Sequence, residues 1–387
     1  MQHHTILVIE VNKMAFFGVT VEKIKEAKHH PDADRLDICQ LEGMSFQFVT
    51  GRDQYEVGDT VLYFPIDSIL PVDLMRKMNL IKKDEDGNEI LDDYGIPRTM
   101  LAGKEHNRIK TVKLRGYLSQ GIVGSLDLLE GMISSFYASP EKITEFLGVT
   151  KYEPPVVMTK NANLVKLPLD LSVYDIEGAD RYPDIANMLM SQRVSISEKL
   201  EGMNFSISVQ RPFFKDDEQE SNVFVNQRNY SIQPKDGEKH SFWTVAEEQG
   251  IISFSKSILD DKEIYDSVTV YGEFVGPSVQ GNIYKLKKYK VYLFDIMING
   301  EFIDADRFQY FINKYDMIQA PLLSHNIILK EWLNGRTIQE ASNGISKLIN
   351  RPREGIVIKP IGEQLHEDIG RLIIKQRSPE YLSKSYN

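Results

Sequence analysis

The chain has a single cysteine, Cys39, among 387 residues. One thiol excludes an internal disulfide and fits a reducing compartment. A signal peptide is missing too: the first segment, "MQHHTILVIEV", has no basic start followed by a long apolar run. No apolar run is long enough to span a bilayer, so a cytoplasmic protein with no membrane partner is expected. Histidine clusters are absent, since His3-His4 and His29-His30 are merely adjacent pairs. With one cysteine, this argues against a structural zinc site. There is no Walker loop, no Gly-x-Ser-x-Gly and no dinucleotide fingerprint, and no internal repeat. Bulk positive charge is lacking as well, with a net charge of −10. That argues against nucleic-acid binding driven by overall charge, but leaves room for a local basic groove. One candidate, "KEHNRIKTVKLRG", carries Lys104, Arg108, Lys110, Lys113 and Arg115 against one acid, Glu105; an ordinary solvated face is the alternative.

The remaining composition suits a soluble globular protein. Hydrophobic residues make up 42% and charged residues 26%, and the length allows two ordinary domains. The N-terminal part reads as β-rich: "LDICQLEGMSFQFVTG" alternates, and "VGDTVLYFPIDSIL" follows a Gly-Asp turn signal. Short strands with Gly and Asp turns suggest a small barrel or sandwich. The acidic, turn-rich "KKDEDGNEILDDYGIP" reads as an exposed excursion. "SPEKITEFLG" reads as a short helix capped by Ser139, with Pro140 in its first turn and Gly148 past its end. A Pro pair and weak periodicity put the domain boundary at roughly residues 155–180, giving an N-terminal domain to 160 and a second from 161. "YPDIANMLMSQ" reads as a helix entering that second domain. Its expected strands are "RVSISEKLEGMNFSISVQ", "SVTVYGEFVG", "KYKVYLFDIMI", "EGIVIKP" and "RLIIKQ"; "DADRFQYFINKY" and "EWLNGRTIQEASNGISKLIN" read as helices.

A lysine followed three positions later by glycine is a weak signal alone, and Lys113-Leu-Arg-Gly116 is a decoy within this chain. Lys199, in "EKLEGMNF", differs from Lys113 in its downstream sequence. There lie Arg228 in "NQRNYSI", Glu273 in "YGEFVGPSVQGN", Phe294 and Asp295 in "VYLFDI", Glu354 in "EGIVIKP", and Lys375 and Arg377 in "IIKQRSPEYL". Each sits on or beside an expected strand, where alternation lets one residue face a cleft while its neighbours pack outward. The chemistry that needs such a set is nucleotidyl transfer. An attacking lysine must be neutral, a state favoured by nearby positive charge or desolvation. Cations must meet the phosphates, where negative charge accumulates in the transition state. Carboxylates can hold a metal ion that serves both needs.

These motifs resemble the covalent nucleotidyltransferases: RNA ligases, DNA ligases and mRNA capping enzymes. "EKLEGMNF", "YGEFVGPSVQ", "FDI", "EGIVIKP" and "IKQRSPEYL" look most like ATP-dependent RNA ligases. The whole-chain layout resembles the Deinococcus and Naegleria type, which carries an oligonucleotide-binding (OB) domain ahead of the nucleotidyltransferase domain. "HPDADRL" in the N-terminal part is similar to OB modules that bind tRNA in synthetase-associated proteins. The resemblance implies an α+β chain: a β-barrel OB domain over 1–160, then a nucleotidyltransferase domain of antiparallel sheets with flanking helices over 161–387.

It also implies roles. Lys199 would be the adenylylated nucleophile. Glu198 would lie near the adenine amino group, Leu200 and Gly202 in the nucleotide-binding loop, and Asn204 at the ribose or the phosphate end of the substrate. Arg228 matches the family's "SRN"-like element, although the first residue here is Gln227. Glu273 would bind the ribose hydroxyls and Phe294 would stack on adenine, with Tyr292 as its rival. Glu201 and Glu354 would hold Mg2+ or Mn2+, and Asp295 would join that metal shell or orient a neighbour; relatives often have Asp at the Glu201 position. Lys359, Lys375 and Arg377 would meet phosphates, Arg377 standing where a lysine is usual, which changes the donor geometry. The implied substrates are ATP as AMP donor and a nick in duplex RNA or an RNA/DNA hybrid, handled by a monomer. DNA ligase, capping guanylyltransferase and a non-catalytic nucleic-acid-binding protein are the alternatives.

Overall fold

A computed structural model describes residues 17–132, 138–153, 161–168, 171, 173–212 and 221–384. The described chain divides into two compact units. One holds residues 17–153 with 180–184 and the last described residues; the other holds 161–179 and 185–381. The segment 180–184, inside the expected second domain, thus clusters with the N-terminal unit. Among the described residues, no helix is long and apolar enough to cross a membrane.

The N-terminal unit is built on β1 (Thr20–His29), β2 (Leu36–Leu41), β3 (Gln47–Gly51), β4 (Thr60–Phe64) and β5 (Ile122–Gly124), in the antiparallel order β3-β2-β1-β4-β5. The sheet curls until its ends meet: Gln120 N donates to Gln47 O at 3.0 Å, and Val49 N to Ser119 Oγ at 2.9 Å. The result is a nearly closed five-stranded barrel, in which closure covers the sheet edges. Alternation drives it: Cys39 and Leu41 of β2 face inward with Phe46, Phe48 and Tyr63. The "HPDADRL" stretch makes the β1–β2 turn, where His29 Nδ1 lies 2.9 Å from buried Asp37. Within the basic stretch, Arg108 is structural: it pairs with Asp67 at 2.6 Å and lies 3.3 Å over the Tyr152 ring. Lys113 and Arg115 are on a short hairpin, Lys113 exposed at its surface. Two short helices, α1 (Val72–Lys77) and α2 (Pro140–Phe146), complete this unit; α2 follows Ser139, which makes no side-chain cap bond.

Among the described residues the second unit carries a two-stranded sheet, Leu365–His366 with Gly370–Arg371, and two large ones. The larger contains β6 (Ala162–Lys166), β9 (Met203–Gln210), β10 (Asn222–Gln227), β11 (Tyr230–Pro234), β12 (Ser267–Val275), β13 (Lys290–Ile298) and β14 (Glu301–Phe302), antiparallel in the order β6-β11-β10-β9-β12-β13-β14. The smaller contains β7 (Glu177–Gly178), β8 (Arg193–Lys199), β15 (Leu322–Ile328), β16 (Gly355–Pro360) and β17 (Ile374–Arg377), in the order β7-β17-β16-β8-β15. Only the β7–β17 pair is parallel.

One face of the larger sheet buries Phe205, Ile207, Val209, Val268 and Val270 against three helices: α4 (Ser241–Glu248), α5 (Ile251–Asp260) and α6 (Ala305–Lys314). Helix α3 (Pro183–Met188) leads into β8. The expected helix "EWLNGRTIQEASNGISKLIN" is instead two short ones, α7 (Leu329–Leu333) and α8 (Ile338–Ser342). Asn334 takes the left-handed φ of 48° and ends the first. Thr337 and Glu340 form a capping box that starts the second. The second ends at Asn343, which turns to extended backbone and whose side chain accepts from Ser378 Oγ and Glu380 N, at 2.8 and 3.0 Å. Those two residues flank or begin the terminal helix α9 (Pro379–Lys384).

Candidate active site

Strand β8 alternates cleanly. Val194, Ile196 and Glu198 are buried, while Ser195, Ser197 and Lys199 face the other way. Register carries that second face across the sheet: Lys199 pairs Gly355, Ser197 pairs Val357, Val357 pairs Lys375, and Gly355 pairs Arg377. Three cations, Lys199, Lys375 and Arg377, therefore share one sheet face. Gly355 has no room for a side chain, since a Cβ would collide with the Gln376 carbonyl oxygen. Lys199 Nζ donates to Glu354 Oε1 at 2.5 Å. The other Glu354 oxygen is buried without a partner among the described residues. Glu198 is similar: Oε2 accepts from Lys347 N at 2.9 Å, and Oε1 is buried with no partner among the described residues. Buried acceptors left unpaired are unusual, and here they point to an absent donor or ion.

The loop after Lys199 returns the chain into β9 of the larger sheet. Gly202 has an ordinary φ, so its lack of a side chain serves close packing rather than a special turn. A Cβ there would meet Phe274 O at 2.5 Å and Glu273 Cγ at 2.8 Å. The loop is thereby pressed onto β12, with Gly202 against the Glu273 side chain. Asn204 is in register with Glu273. Burial pushes the Glu273 carboxyl up to about 8, against the nearby Lys199 charge. Leu200 sends its side chain into a buried cluster with Val275, Tyr284 and Tyr292. The Glu201 carboxylate accepts a hydrogen bond from the Tyr381 hydroxyl of α9, and Glu201 N donates to Tyr284 Oη at 2.8 Å. Burial raises the Glu201 carboxyl, against that Tyr381 bond.

Strand β13 contains a bulge. Tyr271 pairs Asp295 while Gly272 pairs Leu293, which leaves Phe294 as the extra residue. Strict alternation puts Tyr292 and Asp295 on opposite faces; the bulge puts both on the face that carries Glu273. Phe294 is half-buried, 5.0 Å ring to ring from Tyr174, and Tyr292 is buried. Asp295 is fully buried and receives Lys359 Nζ at 2.8 Å, Arg371 at 2.9 Å and the Tyr174 hydroxyl at 2.9 Å. Burial alone would raise its carboxyl; Arg371 and Lys359 reverse this and hold it below the usual range. Both Asp295 oxygens are thus occupied by protein donors. This geometry favours an orienting role for Asp295 over metal binding. Lys359, tied to Asp295 and to Ile303 O at 3.1 Å, is likewise committed to the protein rather than to a phosphate.

Arg228 follows β10 and donates to Asp175 Oδ2 at 2.7 Å. The same carboxylate lies 3.5 Å from Lys375 Nζ. Burial holds Lys375 below the ordinary lysine value, against the pull of Asp175. Asp175, Tyr381, Tyr284 and Arg371 are site residues that sequence reasoning does not pick out. Tyr381 stands inside the "IKQRSPEYL" motif, but its partner lies 180 residues away.

Two sheets joined by the Lys199–Gly202 loop, antiparallel but for the β7–β17 pair, with acids, cations and a ring on their strands, define a nucleotidyltransferase-type unit that follows an OB barrel in sequence. Comparison with known proteins makes this specific. Residues 192–377 match the RNA ligase family, and residues 18–126 match an OB-fold domain. The RNA ligase match thus follows the OB-fold match along the chain. The chain's fold is that of Naegleria gruberi RNA ligase. A mutant of that enzyme with AMP and Mn superposes with a TM-score of 0.70 at 23% identity, covering 95% of this chain and 98% of that one. The same enzyme with PPi gives 0.70 at 24% identity over 95% and 98%, and an apo mutant gives 0.71 at 23% over 96% and 99%. The phenylalanine–tRNA ligase beta subunit of Syntrophotalea carbinolica is 32% identical over 85 residues, which is 20% of this chain and only 11% of that protein.

Proposed function

We propose that the protein is an ATP-dependent RNA ligase that seals 3′-hydroxyl/5′-phosphate nicks in duplex RNA or RNA-containing duplexes. The observation that carries this reading is the Lys199–Glu354 pair, 2.5 Å long, beside the Gly202–Glu273 contact within the stretch that matches the RNA ligase family. The Naegleria structures contain AMP, ATP, pyrophosphate or Mn, which supports ATP and a divalent metal as cofactors. The residues present suit both. The unpartnered Glu198 Oε1 is an acceptor for the adenine amino group, and the unpartnered Glu354 Oε2 offers a metal a free carboxylate oxygen. Glu201 and Glu354 would hold Mg2+ or Mn2+. The ion would supply positive charge that favours the neutral Lys199 amine and offsets charge on the phosphates.

The reaction runs in three steps. Lys199 Nζ attacks the ATP α-phosphorus; the bond to the β-phosphate oxygen breaks, pyrophosphate leaves, and a phosphoramide forms. A 5′-phosphate oxygen of the nucleic acid then attacks the same phosphorus and releases Lys199. Last, the 3′-hydroxyl attacks the activated 5′-phosphate and AMP leaves. Glu273 and Asn204 receive the ribose, Phe294 stacks on the base, and Lys375, Arg377 and Arg228 meet phosphate oxygens. The OB-fold domain clamps the duplex by its backbone, which suits action at any sequence.

The test is sealing of nicked duplexes that differ only in the sugar of the 3′-hydroxyl strand. Sealing with RNA on that side and little with all-DNA is expected. Equal sealing of all-DNA nicks would indicate a DNA ligase, and label transferred from GTP but not ATP a capping-type enzyme.

A further inference from the structure

The connection between β12 and β13 places Tyr284 at the site, but its lysines take no part in this chemistry. From Gly276 to Phe294 the sequence holds four lysines, Lys285, Lys287, Lys288 and Lys290, and no acid, in a chain of net charge −10. All four are exposed. Some other cations of this unit find acids, as Lys314 does at 3.3 Å from Asp261 and Arg211 at 3.7 Å from Asp260. None of the four has such a partner among the described residues.

The loop that carries them is built rather than loose. Asn282 Oδ1 accepts from Leu286 N at 3.0 Å, and its Nδ2 donates to Leu286 O at 2.9 Å. Ile283 and Leu286 pack on the cluster that contains Leu200 and Tyr292. Tyr284 Oη receives Glu201 N–H at 2.8 Å, two residues from the nucleophile. The lysines therefore hold a set position relative to Lys199. Four exposed lysines with no acid among them make a local positive patch that draws anions to this side of the unit.

We propose that residues 285–290 grip the phosphate backbone of the duplex beside the nick. This rests on the ligase reading and adds to it a polynucleotide contact within the catalytic unit. Lysines contact phosphates as point charges, which gives affinity and strong salt dependence without sequence preference. They lie outside the nucleotide-binding set, so enzyme adenylylation should not need them.

The test uses the full chain with Lys285→Gln, Lys287→Gln, Lys288→Gln and Lys290→Gln combined, and a fluorescent nicked duplex with an RNA 3′-hydroxyl strand. The log–log salt slope of binding should shrink by about 0.9 for each phosphate that the loop no longer neutralises. Sealing at moderate salt should fall by more than about tenfold, while lysyl-AMP labelling is unchanged. The four-fold Lys→Arg variant should keep both. An unchanged slope with unchanged sealing overturns the proposal. If the combined variant fails to fold, the Lys285/Lys287 and Lys288/Lys290 pairs carry the same test with smaller changes. Absence of label on the wild type would sink the ligase reading instead, and the salt slope still decides the role of the loop.

Discussion

The Lys199 ammonium and Glu354 Oε1 are 2.5 Å apart, although 155 residues separate them in sequence. The pair exists because antiparallel register sets Lys199 opposite Gly355, one residue past Glu354. It holds the amine at the point where the two sheets meet at the Gly202 loop. Removing the Lys199 side chain therefore takes away a partly exposed amine and not a core residue.

Asp295 supplies a first prediction. It is fully buried and anchors Lys359 and Arg371. Asp295→Asn leaves Lys359 and Arg371 with Glu363 as their one remaining carboxylate, and losing part of a buried ion network should cost about 3 kcal/mol. Denaturant unfolding without nucleotide or metal measures it. Unchanged stability with lost metal response would instead make Asp295 a metal ligand.

Gly202 supplies a second. The Cβ of Gly202→Ala would lie 2.5 Å from Phe274 O, a backbone atom that cannot swing aside. The loop must lift from β12, taking Lys199 with it. Displacement of reacting groups by about 1 Å costs on the order of 100-fold in rate. Single-turnover adenylylation should show that loss, and a near-normal rate would mean that the loop position is not limiting.

Glu273 makes a third, in pH. Its carboxyl titrates near 4.5 when unperturbed and at about 8 in the fold. Between those values the folded state holds one proton more than the unfolded state, so this group makes stability fall as pH rises through that window. Glu273→Gln should flatten the decline. Unfolding curves across the window compare the two, and parallel pH dependence in both would show that burial does not control this group.

The fold class is legible because both units are built from alternating strands, and period two survives in the sequence wherever one face is buried. The β8 strand around Lys199 and the two strands that follow it along the cleft can be read this way. The Phe294 bulge cannot, because alternation carries no mark of one extra residue. Helices α4 and α5 escape such a reading; they meet at Gly250, whose φ of 67° interrupts an otherwise single apolar stripe. Asp175 and Tyr381 are invisible for a different reason. Their importance lies in partners brought close by the fold, Arg228 and Glu201, and an isolated acid or tyrosine carries no sign of that.

The central claim is that Lys199 forms a covalent bond to AMP. The direct measurement is incubation with ATP labelled at the α-phosphate and a divalent metal, followed by denaturation, for wild type, Lys199→Ala and Lys113→Ala. Label retained by wild type and Lys113→Ala and lost from Lys199→Ala is the predicted result. No label on the wild type with either Mg2+ or Mn2+, or label that survives in Lys199→Ala, would contradict it.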